Sequence, residues 1–148
     1  MNFVFRSIED SDYDKECIPL LIHLSCIDPK KITRKLFNTF IHSLSSNHSI
    51  YVLEDTLSHI IVGSITMFVE EKIIHNMGKV AHIEDVVIHP NYQGKQLGKY
   101  LVKKVMEIAQ GEKCYKIILD CAEEKKVFYE KCGFVQKGVQ MSKYFWSV

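Results

Sequence analysis

No uncharged apolar run in this sequence approaches the roughly 18 residues that a membrane-spanning helix needs, and Met1-Asn2-Phe3-Val4-Phe5-Arg6 meets charge too early for a signal peptide. Membrane insertion and export are therefore not expected, and a soluble cytoplasmic protein fits. Paired cysteines are missing too. Cys17, Cys26, Cys114, Cys121 and Cys132 are odd in number and show no Cys-x-x-Cys spacing, which speaks against a disulfide framework or a zinc site and suits reduced thiols. The seven histidines form no His-x-x-x-His or Cys-His cluster, so no metal centre is expected. Nor is there an excess of either charge: 19 Lys and Arg against 18 Asp and Glu leave a net +1. That balance offers no footprint for nucleic acid, and basic residues at a site should serve a small anion instead.

What is present is enough for one domain, residues 1–148, with 47% hydrophobic and 25% charged residues. A chain of this length buries roughly 68–70% of its unfolded surface and needs no staples. Phe3 to Ser7 reads as a strand. Ser11-x-x-Asp14 resembles a capping box, followed by Cys17, Leu20, Leu21 and Leu24 at helical spacing to about Ser25, with Pro19 at the start of the helix or kinking it. Thr33 can cap a second helix with Leu36, Phe37, Phe40, Ile41 and Leu44 on one face. Ile50 to Glu54 and Ile60 to Glu70 form a hairpin, and Lys79 to Ile88 a further strand. A helix from about Gln96 to Gln110, a strand from Lys116 to Cys121, a short helix from Lys125 to Cys132 stopped by Gly133, and a last strand from Val139 to Phe145 complete the order βααβββαβαβ. The simplest packing is a mixed α+β fold: a central mixed, mostly antiparallel twisted sheet flanked by helices.

The most informative stretch runs from Val86, Val87 and Ile88 through Gln93, Gly94, Lys95, Gln96, Leu97 and Gly98 to Lys99, taking an apolar strand through a glycine loop into an amphipathic helix. Strand end, glycines and helix N-terminus together aim backbone N–H groups at phosphate. Gly98 is followed by Lys99-Tyr100 and not by Lys-Ser or Lys-Thr, so this is no P-loop. Two glycines, late in a short chain, do not make the dinucleotide fingerprint either. A pyrophosphate outside the nucleotide hydrolases remains, or a plain turn in which Gly98 only eases helix packing.

With Val127-Phe128-Tyr129-Glu130-Lys131-Cys132-Gly133-Phe134 some thirty residues downstream, the glycine loop resembles that of the GCN5-related N-acetyltransferases. Gln96 stands where their loop has its first glycine. Lys72-Ile73-Ile74-His75, His82-Ile83-Glu84-Asp85, Cys114-Tyr115-Lys116-Ile117 and Phe128 to Phe134 are similar, in that order, to the branch of the family whose acceptor is glucosamine 6-phosphate. The resemblance is strongest from about residue 70 to 135, while residues 1–69 match mainly in their pattern of elements.

The resemblance implies the family's acetyltransferase fold, acetyl-CoA as co-substrate and acetyl transfer to the 2-amino group of glucosamine 6-phosphate by direct attack in a ternary complex, on the way to UDP-N-acetylglucosamine. It further implies a homodimer with the sugar site at the interface, which the apolar Tyr144-Phe145-Trp146 would suit. A sugar ammonium with an ordinary pKa near roughly 8 is mostly protonated at neutral pH, so a base is needed. Glu84 is favoured as acceptor; because it and Asp85 are neighbours on a strand, their side chains are expected on opposite faces. Asp85 could hold the sugar or act through water, and the Asp120 carbonyl would orient the amine.

By the same resemblance the backbone of Val86, Val87 and Ile88 takes the pantetheine arm, Gln93 to Lys99 the pyrophosphate, and Tyr129, Glu130 and Lys131 the far side of the cofactor. Tyr129 acts as general acid toward the thiolate. Ser25, Lys72, Ile73, Ile74, His75, Tyr115, Lys116 and Lys143 are carried over as sugar and phosphate contacts, Lys143 standing near where the family has an arginine. His82 and His89 are expected to be structural or surface residues. An acceptor without phosphate, or a regulatory module that binds CoA without turnover, are the competing readings.

Overall fold

A computed structural model describes residues 2–146. Its centre is a five-stranded sheet in the order β1-β2-β3-β4-β5, built from β1 (Phe3–Ser7), β2 (His48–Asp55), β3 (Ile60–Glu71), β4 (Lys79–Ile88) and β5 (Cys114–Ile118). The first four strands pair antiparallel with their sequence neighbours, and β5 joins β4 in parallel. This is the mixed, mostly antiparallel sheet that the hydrophobic alternation predicts.

Helices cover both faces. The long α4 (Leu97–Gly111) presents Leu97, Leu101, Val102, Val105 and Ala109 to one face, where Ile65, Met67 and Val69 of β3 and Ala81 and Ile83 of β4 point. The short α5 (Lys126–Glu130) adds Phe128 and Tyr129 to the rim of that core. On the other face, α1 (Cys17–Leu21) and α2 (Arg34–Ser43) close over Val52, Ile61 and Val87 with Cys17, Ile18, Leu20 and Phe37. They cover only part of it. Phe68, His82 and Ile118 lie on the remainder and stay partly exposed.

Between β1 and α1 the chain is held by charge. Arg6 on β1 donates to both carboxylate oxygens of the fully buried Asp12, at 2.8 and 2.6 Å, and to Glu54 of β2 at 2.6 Å. Asp12 also accepts from the Glu9 N–H at 2.9 Å, and Lys15 reaches Glu54 at 3.1 Å. Asp12 is thus the residue of the capping box, in a 3-10 turn Asp10–Asp14, with Glu9 as its partner. The Ser11–Asp14 pair read from the sequence does not form, because Asp14 pairs with Arg34 instead.

Further elements depart from the sequence reading. α1 ends at Leu21, not near Ser25, and Pro19 sits in its first turn, where no N–H is needed. α2 starts at Thr33 as expected, the Thr33 hydroxyl accepting from Leu36 N–H at 3.3 Å, but Leu36 and Phe40 on its apolar face remain largely exposed. β5 begins at Cys114 because Lys113, at φ 61°, turns the chain directly out of α4, and it ends at Ile118, where its pairing with β4 ends. The strand expected over 139–145 is absent among the described residues. Val139, Met141, Tyr144, Phe145 and Trp146 are instead strongly exposed. Residues 74–77 add α3 (Ile74–Met77), a single turn in which His75, Asn76 and Met77 are left-handed.

Removing Asp12 leaves the Arg6 guanidinium without its buried partner, so Asp12→Ala should cost about 3–5 kcal/mol in urea unfolding at neutral pH. A loss below about 1 kcal/mol would mean that Glu54 alone suffices to hold Arg6.

Candidate active site

One extra residue shapes β4. Thr66 pairs with Glu84 and Ser64 with Val87, so Asp85 and Val86 together oppose the single Ile65, and Asp85 takes φ 51°. This is a β-bulge, and it reverses the alternation. Ala81 and Ile83 face the α4 core before it; Val86 and Ile88 do so after it, while Val87 has crossed to the α1–α2 core. The expectation that Glu84 and Asp85 simply face opposite sides rests on unbroken alternation, and the bulge removes that basis. Glu84 shares its face with His82 two residues earlier, and Asp85 occupies the bulge itself.

β4 and β5 part at the same place. Their pairing runs from Lys79 beside Cys114 to His82 beside Ile118 and stops, which leaves the β5-facing edge of β4 from Ile83 to Ile88 without a strand partner. Backbone N–H and C=O groups on that edge are free to bind an extended ligand. Asp120 and Cys121 follow the end of β5 across the gap, and Tyr129 stands on α5 beyond them.

The electrostatics tie these pieces together. The Glu84 carboxyl is held above the ordinary carboxylate value by desolvation first, then by the Asp120 and Asp85 carboxylates, with His82 acting the other way. Tyr129 is pushed up to about 12, again by burial first and then by Cys121, Cys132 and Asp120. Asp120 therefore lies within electrostatic reach of both Glu84 and Tyr129. At neutral pH the pair consists of a carboxylate made more basic and a phenol that keeps its proton. One can take a proton and the other can give one.

At the upper end of the gap the chain turns at Pro90–Tyr92, passes the exposed Gln93 to Gln96, and enters α4. The first amide to find a carbonyl there is Tyr100, bonded to Gln96 O at 3.0 Å; those before it in the helix have no intrahelical acceptor. They stay open to an acceptor from outside the helix. The two glycines do different work. Gly94 has φ +78° and open space around it, so it supplies a turn, whereas a Cβ on Gly98 would sit 3.2 Å from the Phe128 ring. Gly98 lets α5 close on α4 and thereby sets Tyr129 beside the gap. Gln96 adopts φ 64°, so the position does use the left-handed conformation that a glycine would take freely.

The residues carried over for the sugar phosphate do not converge within one chain. His75 packs on Tyr115 at 4.5 Å between centroids, and the Lys116 ammonium lies 5.6 Å from the same ring. Lys116 pairs with Val80, four residues from Glu84, about 13 Å along the strand. Ile73 and Ile74 are exposed beside this cluster. Lys72 is turned back toward the gap, its ammonium 2.5 Å from Glu70, whose other oxygen is 2.9 Å from His82 Nε2. Ser25 is exposed after α1, two residues beyond His23, whose ring lies 5.7 Å from His89 at the end of β4. Lys143 lies in the exposed tail over Phe145. Glu130 is exposed on α5, and Lys131, just after it, borders a groove with Lys99, Lys103 and Cys132. No cluster of three or more His, Cys, Asp or Glu able to hold a metal exists among the described residues, nor is any helix among them long and apolar enough to cross a membrane. Sequence reasoning missed the Glu70–His82 pair. His82 was visible, but its partner is set by the β3–β4 register.

The splayed β4–β5 pair, the bulge in β4 and the N-terminus of α4 surround one gap. The chain belongs to the acetyltransferase (GNAT) family, which it matches over residues 19–134. It is 42% identical over 146 residues to glucosamine 6-phosphate N-acetyltransferase of Arabidopsis thaliana, covering 97% of each chain. The enzyme of that name from Candida albicans is 41% identical over 141 residues, covering 94% of this chain and 93% of its own. The crystal structure of the Arabidopsis thaliana glucosamine-6-phosphate N-acetyltransferase superposes with a TM-score of 0.92 at 40% identity, over 98% of this chain and 99% of that one. An acetyltransferase structure from Trypanosoma brucei gives 0.88 at 33% identity, over 97% and 99%.

A non-glycine residue in the left-handed region carries a cost of about 1–2 kcal/mol, part of which glycine returns as unfolded-state entropy. Gln96→Gly should therefore raise stability by about 0.5–1 kcal/mol in urea unfolding and leave acetyl-CoA affinity within twofold by calorimetry. A loss of stability would mean that the Gln96 side chain makes contacts worth more than the backbone strain.

Proposed function

We propose that the chain transfers the acetyl group of acetyl-CoA to the 2-amino group of glucosamine 6-phosphate. The observation that carries the chemistry is that a raised carboxyl, Glu84, and a buried phenol that keeps its proton, Tyr129, both lie within electrostatic reach of Asp120 at the gap between β4 and β5. The full-length likeness to enzymes named for this acceptor supports the substrate.

Acetyl-CoA fits the gap: the unpaired β4 edge suits the pantetheine arm, and the open amides at the head of α4 suit the pyrophosphate. Glu84 takes the proton of the attacking amine, directly or through water. Amides of Val86 to Ile88 are the donors nearest the bulge for the carbonyl oxygen as negative charge builds on it. Tyr129 gives its proton to the departing sulfur. No acyl-enzyme is required, since an amine attacks a thioester itself, and the burial that raises the Cys132 thiol makes it a poor nucleophile.

For the phosphate, Lys72 offers an ammonium bonded to Glu70, whose other oxygen reaches His82 on the face of Glu84. His75, Tyr115 and Lys116 are too far along β4 to touch the same small sugar, which supports a site completed by a second copy of the chain. Two further features favour such a dimer. β5 closes the sheet with an open outer edge, and the exposed apolar segment 139–146 has no strand partner of its own. A second copy of the chain can supply the partner that its strand pattern calls for. Free thiols at all five cysteines suit a reducing compartment such as the cytoplasm.

Release of free thiol from acetyl-CoA should be fast with glucosamine 6-phosphate and slow with glucosamine. Equal rates would remove the phosphate from the reading; none with either would favour a regulatory CoA-binding module. In the same assay Tyr129→Phe should lower turnover by about 10- to 10³-fold with acetyl-CoA binding near normal. Unchanged turnover would take the proton-donating role from Tyr129.

A further inference from the structure

Aiming the amides at the head of α4 requires that the loop before them be held still, yet Gln93, Gly94, Lys95 and Gln96 are all exposed and contribute nothing to either core. Among the described residues the loop is tied to the body by its flank. The Tyr92 hydroxyl donates to Asp55 Oδ2 at 2.8 Å, the Tyr92 ring packs edge-on to Phe3 at 6.1 Å and His89 at 5.8 Å, and the Lys95 ammonium lies 4.7 Å above that ring. Gln93 adds a side-chain bond to Ile88 O at 3.3 Å.

We propose that Tyr92 and Asp55 form a clamp that positions the glycine loop for its anionic ligand, making Tyr92 a positioning residue for co-substrate binding. The far side of the clamp is rigid. Asp55 ends β2, is buried, accepts the Leu57 N–H at 3.0 Å, and returns its own carbonyl to His59 N–H at 2.8 Å. Thr56 N–H bonds to Asn2 O at 2.8 Å, anchoring the same turn to the start of β1. Leu57 N–H first, then Tyr92 and Ser58, hold the Asp55 carboxyl below the ordinary range, which favours its charged form. A charged acceptor strengthens the Tyr92 bond. The near side is equally fixed, since Tyr92 N–H bonds to His89 O and His89 N–H to Val62 O, both at 2.8 Å. The β2–β3 turn, on the far side of β3 from the gap, thereby sets the loop.

The inference rests on the loop being the acetyl-CoA pyrophosphate site, and the parent chain tests that first. Calorimetry with acetyl-CoA on the parent, Tyr92→Phe, Asp55→Asn and the double variant, with steady-state rates on each, separates the two questions. Tyr92→Phe keeps the ring under Lys95 and removes only the hydroxyl. It should weaken acetyl-CoA binding and raise its KM by about 3- to 10-fold, with kcat within twofold. Asp55→Asn should match it, and the double variant should be no worse than the poorer single one, because both break one interaction. Binding by Tyr92→Phe within twofold of the parent, or additive losses in the double variant, overturns the clamp while leaving the loop reading intact. A parent chain that binds no acetyl-CoA overturns both.

Discussion

Asp85, in a left-handed conformation, puts one more residue into β4 than β3 can pair, and the rest of the site depends on that insertion. It sends Val87 into the core under α1 and α2 while Val86 and Ile88 stay with the core under α4, so a single strand is gripped from both sides within three residues. A strand held this way cannot follow β5 further, and the two separate at the point where a ligand needs backbone donors. Functional edge and structural anchor are then one segment.

Around this segment the charged groups are few and unequal. Three carboxylates, Glu84, Asp85 and Asp120, crowd the mouth of the gap without a guanidinium to neutralise them. The molecule's strong ion pairing is instead spent at Arg6, Asp12, Glu54 and Lys15, on the opposite edge of the sheet. The contrast has a physical sense. Glu54, bonded to Arg6 and Lys15, is held below the ordinary carboxylate value, and Glu84, partly desolvated and unpaired, above it. Glu70, bonded to both Lys72 and His82, is held low in the same way as Glu54.

Much of this could be read from residue order. β1 and β4 have the bounds that their apolar residues indicate, and α4 starts within a residue of its expected place, because strong periodicity and a glycine-bounded turn leave little alternative. The glycine loop and the Phe128–Tyr129 helix were legible as parts of one site. The β4 bulge was not, since Glu84-Asp85-Val86-Val87 carries no glycine to mark a left-handed residue. Gly98 was visible but ambiguous: its reason is Phe128, thirty residues away. The residues carried over for the sugar phosphate, chosen by likeness, scatter over the segment after α1, the β3–β4 connection, β5 and the tail, because pairing register and not residue type decides how far apart Lys116 and Glu84 lie. The 139–145 segment shows the limit most plainly. Its alternation is that of a strand, but a strand needs an edge, and the sequence does not say whose.

The order of strands across the sheet is also their order along the chain. Only β2, β3 and β4 are joined by short connections; β1 meets β2 across residues 8–47, which carry α1 and α2, and β5 meets β4 across residues 89–113, which carry α4. Loop-closure entropy makes both crossovers later to be rewarded during folding than the β2–β3–β4 hairpins. The gap thus opens at the seam between an early, locally assembled meander and a late-docking α4–β5 unit, where native-state openings that admit solvent should require the least unfolding of the remainder.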